Sequence, residues 1–109
     1  MRDLQLGGFE EIVLLSVAAR FGDAYGVTIK LHIEANCDRK VSIGALRTTL
    51  NRLEKKGFLD SRLGEATSMR GGKRKRFYVV TPFGKKALDQ AMEERKKLWQ
   101  TIPKTAFNF

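Results

Sequence analysis

The spacing of the apolar residues changes at Gly57, and this change limits the folds open to the chain. Before Gly57, apolar residues recur at intervals of three or four, which predicts a helix over residues 42–56. The predicted core face of this helix comprises Ile43, Leu46, Leu50 and Leu53. After Gly57, the segments 58–63 and 75–81 are typical of two short strands joined by a polar stretch. The pattern therefore favours a mainly α fold with a small β-hairpin, of the α+β class.

Local signals support the helix over 42–56. Ser42 is a good N-cap, and Val41 can pack on Leu46 as a hydrophobic staple. Gly57 supplies the stop. We therefore expect this helix to have the best-defined ends in the chain.

Two helices are predicted before it. The first spans 9–21, where polar residues are sparse, and Gly22 ends it. The second spans about 25–36, with Asp23 as its expected cap. The predicted core face of the second helix comprises Tyr25, Ile29 and Ile33. Gly26 indicates close packing near its start, because glycine costs roughly 1 kcal/mol against alanine in a helix.

A last helix is predicted over 82–103, with Thr81 as N-cap, Pro82 in the first turn and Pro103 at the end. Its apolar residues form one broad face, interrupted by Arg95. This face comprises Leu88, Ala91, Met92, Leu98, Trp99 and Ile102. Because so short a chain leaves little core for the face to cover, we expect it to pair with a second copy of itself.

Positive charge is concentrated in the middle of the chain. The net charge is +9, and residues 39–86 hold 14 of the 21 lysines and arginines but only three acidic residues. Such a patch favours a polyanionic partner, either a nucleic acid or, more weakly, an anionic membrane surface.

Three helices followed by a hairpin form the arrangement of a winged helix-turn-helix, whose third helix enters the major groove of DNA. Here Arg47 is suited to a guanine edge and Asn51 to an adenine edge, and Gly44 would let the backbone approach closely. Phosphate contacts are expected from Ser42, Thr48, Arg52, Lys55 and Lys56. We predict a DNA-binding domain over 1–81, a dimerisation helix over 82–103 in the same compact unit, and a tail over 104–109.

The predicted wing spans 66–76, and its segment from Arg70 to Arg76 contains five cations and no acidic residue. Because side chains alternate along an extended strand, these cations cannot all face one DNA backbone. We expect the tip cations to reach a phosphate or a narrow minor groove, whereas the alternation allows Arg76 to face elsewhere. The tip cations are Arg70, Lys73 and Arg74.

Other chemistry finds little support. His32 and Cys37 are the only residues of their types, so we expect no zinc site within one chain. The pairs Glu10-Glu11 and Glu93-Glu94 are adjacent, so on a helix they diverge by about 100° and cannot flank one substrate. The sequence thus predicts no metal, no cofactor and no enzymatic activity.

The location of the chain is predicted from similar signals. The apolar run 12–19 is too short for a membrane span, and no secretory signal precedes it. A single cysteine suits a reducing cytosol. We expect a cytoplasmic protein.

Five motifs occur in order along the chain, and together they resemble the PadR-like transcriptional regulators over about residues 4–90. They are Leu6-Gly-Gly-Phe-Glu10, Tyr25-Gly26, the run from Gly44 to Gly57, the wing from Arg70 to Tyr78, and Thr81-Pro82. The family often has tyrosine where this chain has Arg47, which points to a different operator sequence.

The resemblance implies a bacterial, nucleoid-associated homodimeric repressor that binds a palindromic operator. It also implies dimerisation through the C-terminal helix and release from DNA by a small apolar or aromatic effector. In some relatives an aromatic residue of this helix lines a ligand pocket between subunits. Trp99 lies in a comparable region. Alternatively, Trp99 packs in the core of the dimer interface.

Two other functions remain open at this point. An RNA-binding or ribosome-associated winged-helix module would use the same basic wing on a different helix geometry. The scarcity of aromatic residues over 39–76 argues against stacking on single strands. A module that docks on an anionic membrane ranks last, because the patch is not an amphipathic helix.

Overall fold

The computed structural model describes residues 3–65 and 74–109. Its helices are α1 (Gly8–Ala19), α2 (Gly26–Cys37), α3 (Ile43–Lys55) and α4 (Pro82–Gln100), followed by a short 3₁₀ helix at Lys104–Phe107. Strands β1 (Leu59–Leu63) and β2 (Arg76–Val80) pair antiparallel, with Leu59 opposite Val80 and Leu63 opposite Arg76. The predicted mainly α fold with a small hairpin is confirmed. No helix within the described ranges has the length and apolarity needed to cross a bilayer.

Helix α3 begins and ends as predicted. The Ser42 hydroxyl accepts a hydrogen bond from the Ala45 N–H at 3.1 Å, and Gly57 follows the helix with a φ of 84°. One predicted core residue is wrong, because Ile43 is 43% exposed. Thr49 takes the place in the core instead, and its buried hydroxyl donates to the Ala45 carbonyl.

Helices α1 and α2 differ from prediction at their ends. Helix α1 stops at Ala19, before the largely exposed Phe21. The predicted cap at Asp23 is wrong, since its carboxylate pairs with Arg20 at 2.6 Å and the N-cap is Tyr25. The Thr28 hydroxyl accepts from the Tyr25 N–H and closes this end of α2. The prediction of close packing at Gly26 is also wrong, because a Cβ at this position would meet nothing within 4 Å.

The core lies between α1, α2 and α3 and is closed by the hairpin and the start of α4. Its largest fully buried side chains include Leu14, Ile29, Ile33, Leu46, Leu53, Phe58 and Leu59. The hairpin is attached to the loop before α2, because the Tyr78 N–H donates to the Ala24 carbonyl at 2.8 Å. This bond fixes β2 beside the start of α2.

The start of α4 is held against Gly57 and Phe58, the two residues just before β1. The Thr81 hydroxyl accepts from the Gly84 N–H at 3.0 Å and donates to the Gly57 carbonyl at 2.6 Å. A Cβ at Gly84 would lie 2.3 Å from the Phe58 carbonyl oxygen, so only glycine fits there. This contact sets the direction in which α4 leaves the core.

The apolar face of α4 is covered in its first half and bare in its second. Ala87 is buried and Leu88 is half-buried against the core, whereas Leu98 and Trp99 are 69% and 70% exposed. Between them, Arg95 pairs with Glu11 of α1 at 2.7 Å. Helix α4 therefore extends beyond the core.

Candidate DNA interface

One side of α3 presents the predicted DNA-contacting residues together. Its opposite side is buried in the core, so these residues face away from the molecule as an exposed polar surface. The surface comprises Ser42, Gly44, Arg47, Thr48, Asn51, Arg52 and Lys55. A Cβ at Gly44 would meet nothing within 4 Å, so the backbone of the first turn is open to an approaching partner.

A groove with a volume of about 450 Å³ separates α3 from the hairpin. On the α3 side it is lined by Ile43, Arg47 and Asn51. The hairpin side contributes Leu63 and three consecutive cations, and the start of α2 closes one end. The cations are Arg74, Lys75 and Arg76. The structure thus brings the predicted base-reading residues and the base of the wing into one groove.

The wing predictions fall into two groups. Arg70 and Lys73 lie outside the described residues. Arg74 is exposed, and its Nε donates to the Gly64 carbonyl at 2.9 Å at the base of the hairpin. A Cβ at Gly64 would lie 2.7 Å from the Phe77 ring, so a larger residue there would have to displace this ring.

Arg76 connects the two strands to α3. One of its guanidinium nitrogens donates to the Ser61 hydroxyl at 2.9 Å, and that hydroxyl donates to the Glu54 carboxylate at 2.8 Å. Burial, followed by the negative charge of Glu54, raises the pKa of the neighbouring Tyr78 phenol. We call Glu54, Ser61 and Arg76 the wing tether.

Lys75 and Tyr25 belong to the site but were missed in the sequence analysis. The Lys75 ammonium lies 4.3 Å from the centre of the Tyr25 ring, and Tyr25 packs edge-on against Phe77 at 5.4 Å. The Tyr25-Gly26 motif was the one sequence signal that pointed to Tyr25, but it could not identify Lys75 as the partner, because the two residues are 50 positions apart.

Lys56, a predicted phosphate contact, is engaged elsewhere. Its ammonium pairs with the buried Glu10 carboxylate at 2.9 Å. Although burial raises the pKa of Glu10, the Gly7 N–H and Lys56 outweigh it and hold this pKa below the usual value.

The predicted dimerisation residues lie along α4 except Ile102, because the helix ends at Gln100 rather than at the predicted residue 103. Leu88, Ala91 and Ile102 are half-buried, whereas Met92, Leu98 and Trp99 are exposed. The Trp99 ring lies 6.4 Å from that of Phe107, which folds back from the C-terminal end. Beside Trp99 is a shallow groove of about 350 Å³, lined also by Arg95, Lys96 and Gln100. Within residues 3–65 and 74–109, no group of three or more metal-ligating side chains is close enough to hold an ion.

The family model of the transcriptional regulator PadR-like family matches residues 14–90, which include the groove and the start of α4. The chain belongs to the PadR-like family. Several solved structures of similar fold agree with this assignment. A PadR-like transcription factor from Bacteroides fragilis is 23% identical, with a TM-score of 0.73 over 85% of this chain and 84% of that one.

Two further structures resemble this PadR-like chain. A PadR family transcription regulator from Clostridium difficile is 22% identical, with a TM-score of 0.68 over 85% of this chain and 93% of that one. A transcriptional regulator from Clostridium thermocellum is 28% identical, with a TM-score of 0.65 over 86% and 92%. No curated protein sequence matches the chain.

The predicted family and the predicted winged-helix fold are therefore confirmed. The PadR-like family and these neighbours are transcriptional regulators rather than enzymes. Membership of this family implies that the chain is a DNA-binding transcriptional regulator.

Proposed function

We propose that this PadR-like regulator is a homodimeric repressor that binds a palindromic operator on the bacterial nucleoid, in the cytoplasm. The observation that carries the proposal is the exposed polar face of α3 beside a cationic hairpin. The major groove, about 12 Å wide, admits one helix, and side chains near the start of that helix meet base edges.

The roles of the individual residues follow from their positions. Arg47 donates to a guanine edge and Asn51 pairs with an adenine edge, while Gly44 lets the backbone approach. Ser42, Thr48, Arg52 and Lys55 contact phosphates. The wing cations Arg70, Lys73 and Arg74 contact the backbone or the minor groove. Arg76 retains guanidinium N–H groups beyond the one bonded to Ser61, so it can also reach a phosphate.

The bare end of α4 supports the dimer. The stripe that packs on the core through Ala87 and Leu88 continues to Leu98 and Trp99, which stay largely exposed although Phe107 lies beside Trp99. A second copy of the same helix would cover it in a two-fold arrangement. The two α3 helices would then lie about one DNA turn, roughly 34 Å, apart.

The proposed effector binds beside Trp99. An exposed indole at Trp99 next to Arg95 and Lys96 suits a small apolar or aromatic molecule held between subunits. Trp99 could contribute to dimer core and effector pocket at once. Quenching of Trp99 fluorescence by an added aromatic compound, together with loss of DNA binding, would support this role.

Binding-site selection on random duplex DNA with the purified protein tests the function. We expect a palindromic motif, and Arg47→Ala should change its preferred bases, whereas Lys85→Ala, an exposed cation on α4, should leave the motif unchanged. If no duplex motif is enriched, the proposal is wrong. Tighter binding to structured RNA than to any duplex DNA would favour the RNA-binding alternative.

A further inference from the structure

Ile43 is an apolar side chain in a polar and cationic surface. It is the first residue of α3 and is 43% exposed, although its spacing with Leu46 and Leu50 predicted a core position. It lines the groove between α3 and the hairpin, one helical turn before Arg47. Val27, which is 53% exposed, lines the same groove from α2.

The exposure of Ile43 is not explained by the fold. The core beneath α3 is completed by Leu46, Thr49, Leu50 and Leu53, which are all buried. In a surface that faces DNA, an apolar side chain at the start of a helix can bury itself only where the DNA presents an apolar group. In the major groove the only such feature of the base edges is the C5-methyl group of thymine, because the other groups are hydrogen-bond donors and acceptors.

We infer that Ile43 is a specificity-determining residue that contacts the C5-methyl group of a thymine in the operator. The inference rests on the proposed function, since it requires α3 to lie in the major groove. Four residues along a helix correspond to a rise of about 6 Å, and successive base pairs are about 3.4 Å apart. The thymine therefore lies within about two base pairs of the base that Arg47 reads.

Replacing each operator thymine in turn with deoxyuridine tests this contact, because the substitution removes only the methyl group. We expect one thymine per half-site to be sensitive in the wild-type protein. Loss of one buried methyl group should weaken binding about fourfold, from roughly 0.8 kcal/mol per buried carbon. In Ile43→Ala, binding to the thymine operator should already be weaker, and the same deoxyuridine substitution should have no further effect.

Two control variants separate this contact from a general change in the protein. Ile43→Val retains a β-branched apolar side chain and should keep most of the sensitivity to deoxyuridine. Leu31→Ala removes a similarly exposed apolar side chain of α2 that does not line the groove, so its sensitivity should equal that of the wild type. Circular dichroism of each variant checks that the fold is retained.

The inference is overturned if Ile43→Ala keeps the full wild-type sensitivity, or if no thymine is sensitive in an operator that the wild-type protein binds specifically. Either result would leave the proposed function standing. Failure of the proposed function would instead appear earlier, as an absence of any selected duplex motif.

Discussion

Two glycines near the starts of helices face opposite environments. A Cβ at Gly84 of α4 would lie 2.3 Å from the Phe58 carbonyl oxygen, whereas a Cβ at Gly44 of α3 would meet nothing within 4 Å. The first glycine is therefore required by the fold itself. The second leaves open backbone on the surface where DNA is expected.

Gly84→Ala should destabilise the protein, because α4 must move away from Phe58 to make room. Overpacking of this kind costs about 1–3 kcal/mol. Gly44→Ala should leave stability unchanged or raise it by up to about 1 kcal/mol, since alanine favours a helix, and should weaken DNA binding. Urea denaturation and a duplex titration measure the two effects. Equal stability of the two variants would contradict the close contact at Gly84.

Glu10 makes stability depend on pH. The Gly7 N–H and Lys56 stabilise its charged form, so its pKa in the folded chain lies below the usual 4.5. A carboxyl group with a lowered pKa contributes stability at neutral pH, and this contribution is lost as the pH falls below 4.5 toward the folded-state pKa.

Glu10→Gln should therefore flatten the loss of stability on acidification, while lowering stability at neutral pH. Urea midpoints measured from neutral pH down through 4.5 provide the comparison. The exposed Glu93→Gln variant serves as the control and should follow the wild-type curve. If the stability of Glu10→Gln falls with pH as steeply as that of the wild type, another group controls the acid-induced loss of stability.

At the scale of elements, the wing tether couples the hairpin to α3. Ser61 of β1 accepts from Arg76 of β2 and donates to Glu54 of α3, so one hydroxyl joins three elements. The described strands of the hairpin are thereby attached to α3, the helix that we propose reads the bases. In the proposed complex with DNA, Arg76 would support binding through this tether, in addition to any phosphate contact.

Ser61→Ala should reduce stability by about 1 kcal/mol, because two hydrogen bonds lose their common partner. Affinity should fall alike for all duplexes, and the slope of affinity against salt should stay unchanged, since no phosphate contact is removed. Arg74→Ala should instead lower that slope by about one. A lowered slope in Ser61→Ala would mean that the tether also holds a phosphate-contacting group. Ser61→Thr, which keeps the hydroxyl, is the matched control.

The elements differ in how far the sequence predicts them. Local signals were sufficient for α3, where Ser42 caps the helix and Gly57 ends it. They misled at α2, because Asp23 has the right side chain for a cap but pairs with Arg20 instead. Helical spacing also could not distinguish Ile43 from a core residue, because Ile43 has the spacing to Leu46 and Leu50 that a buried side chain would have.

The partners of the site cations could not be predicted at all. Lys56 meets Glu10 across 46 residues, and Lys75 meets Tyr25 across 50. Such contacts depend on how the hairpin and helices pack. This packing cannot be predicted from runs of charged residues in the sequence. Composition therefore predicts a basic surface but not which of its cations are free to bind DNA.

At the scale of the whole molecule, we expect the exposed far end of α4 to pack against a second copy of the chain. Leu98→Glu should convert a dimer to a monomer in sedimentation, because Leu98 is exposed in one chain and would be buried between two. Leu88 is less suitable for this test, since it packs on its own core. Lys97→Glu introduces a glutamate on the side of α4 away from Leu98 and Trp99 and should leave the mass unchanged. A dimeric Leu98→Glu variant would refute this interface.

The contact of Gly84 with Phe58 fixes the direction of α4, so a small change of angle at this contact produces a larger displacement at the far end of the helix. Its 19 residues are about 28 Å long, so a rotation of only 5° at that joint displaces the far end by about 2.5 Å. In a dimer joined at the far ends, each joint would contribute its own displacement to the distance between the two α3 helices. In the proposed dimer, a small molecule bound beside Trp99 would act through this amplification, by changing the distance between the two α3 helices.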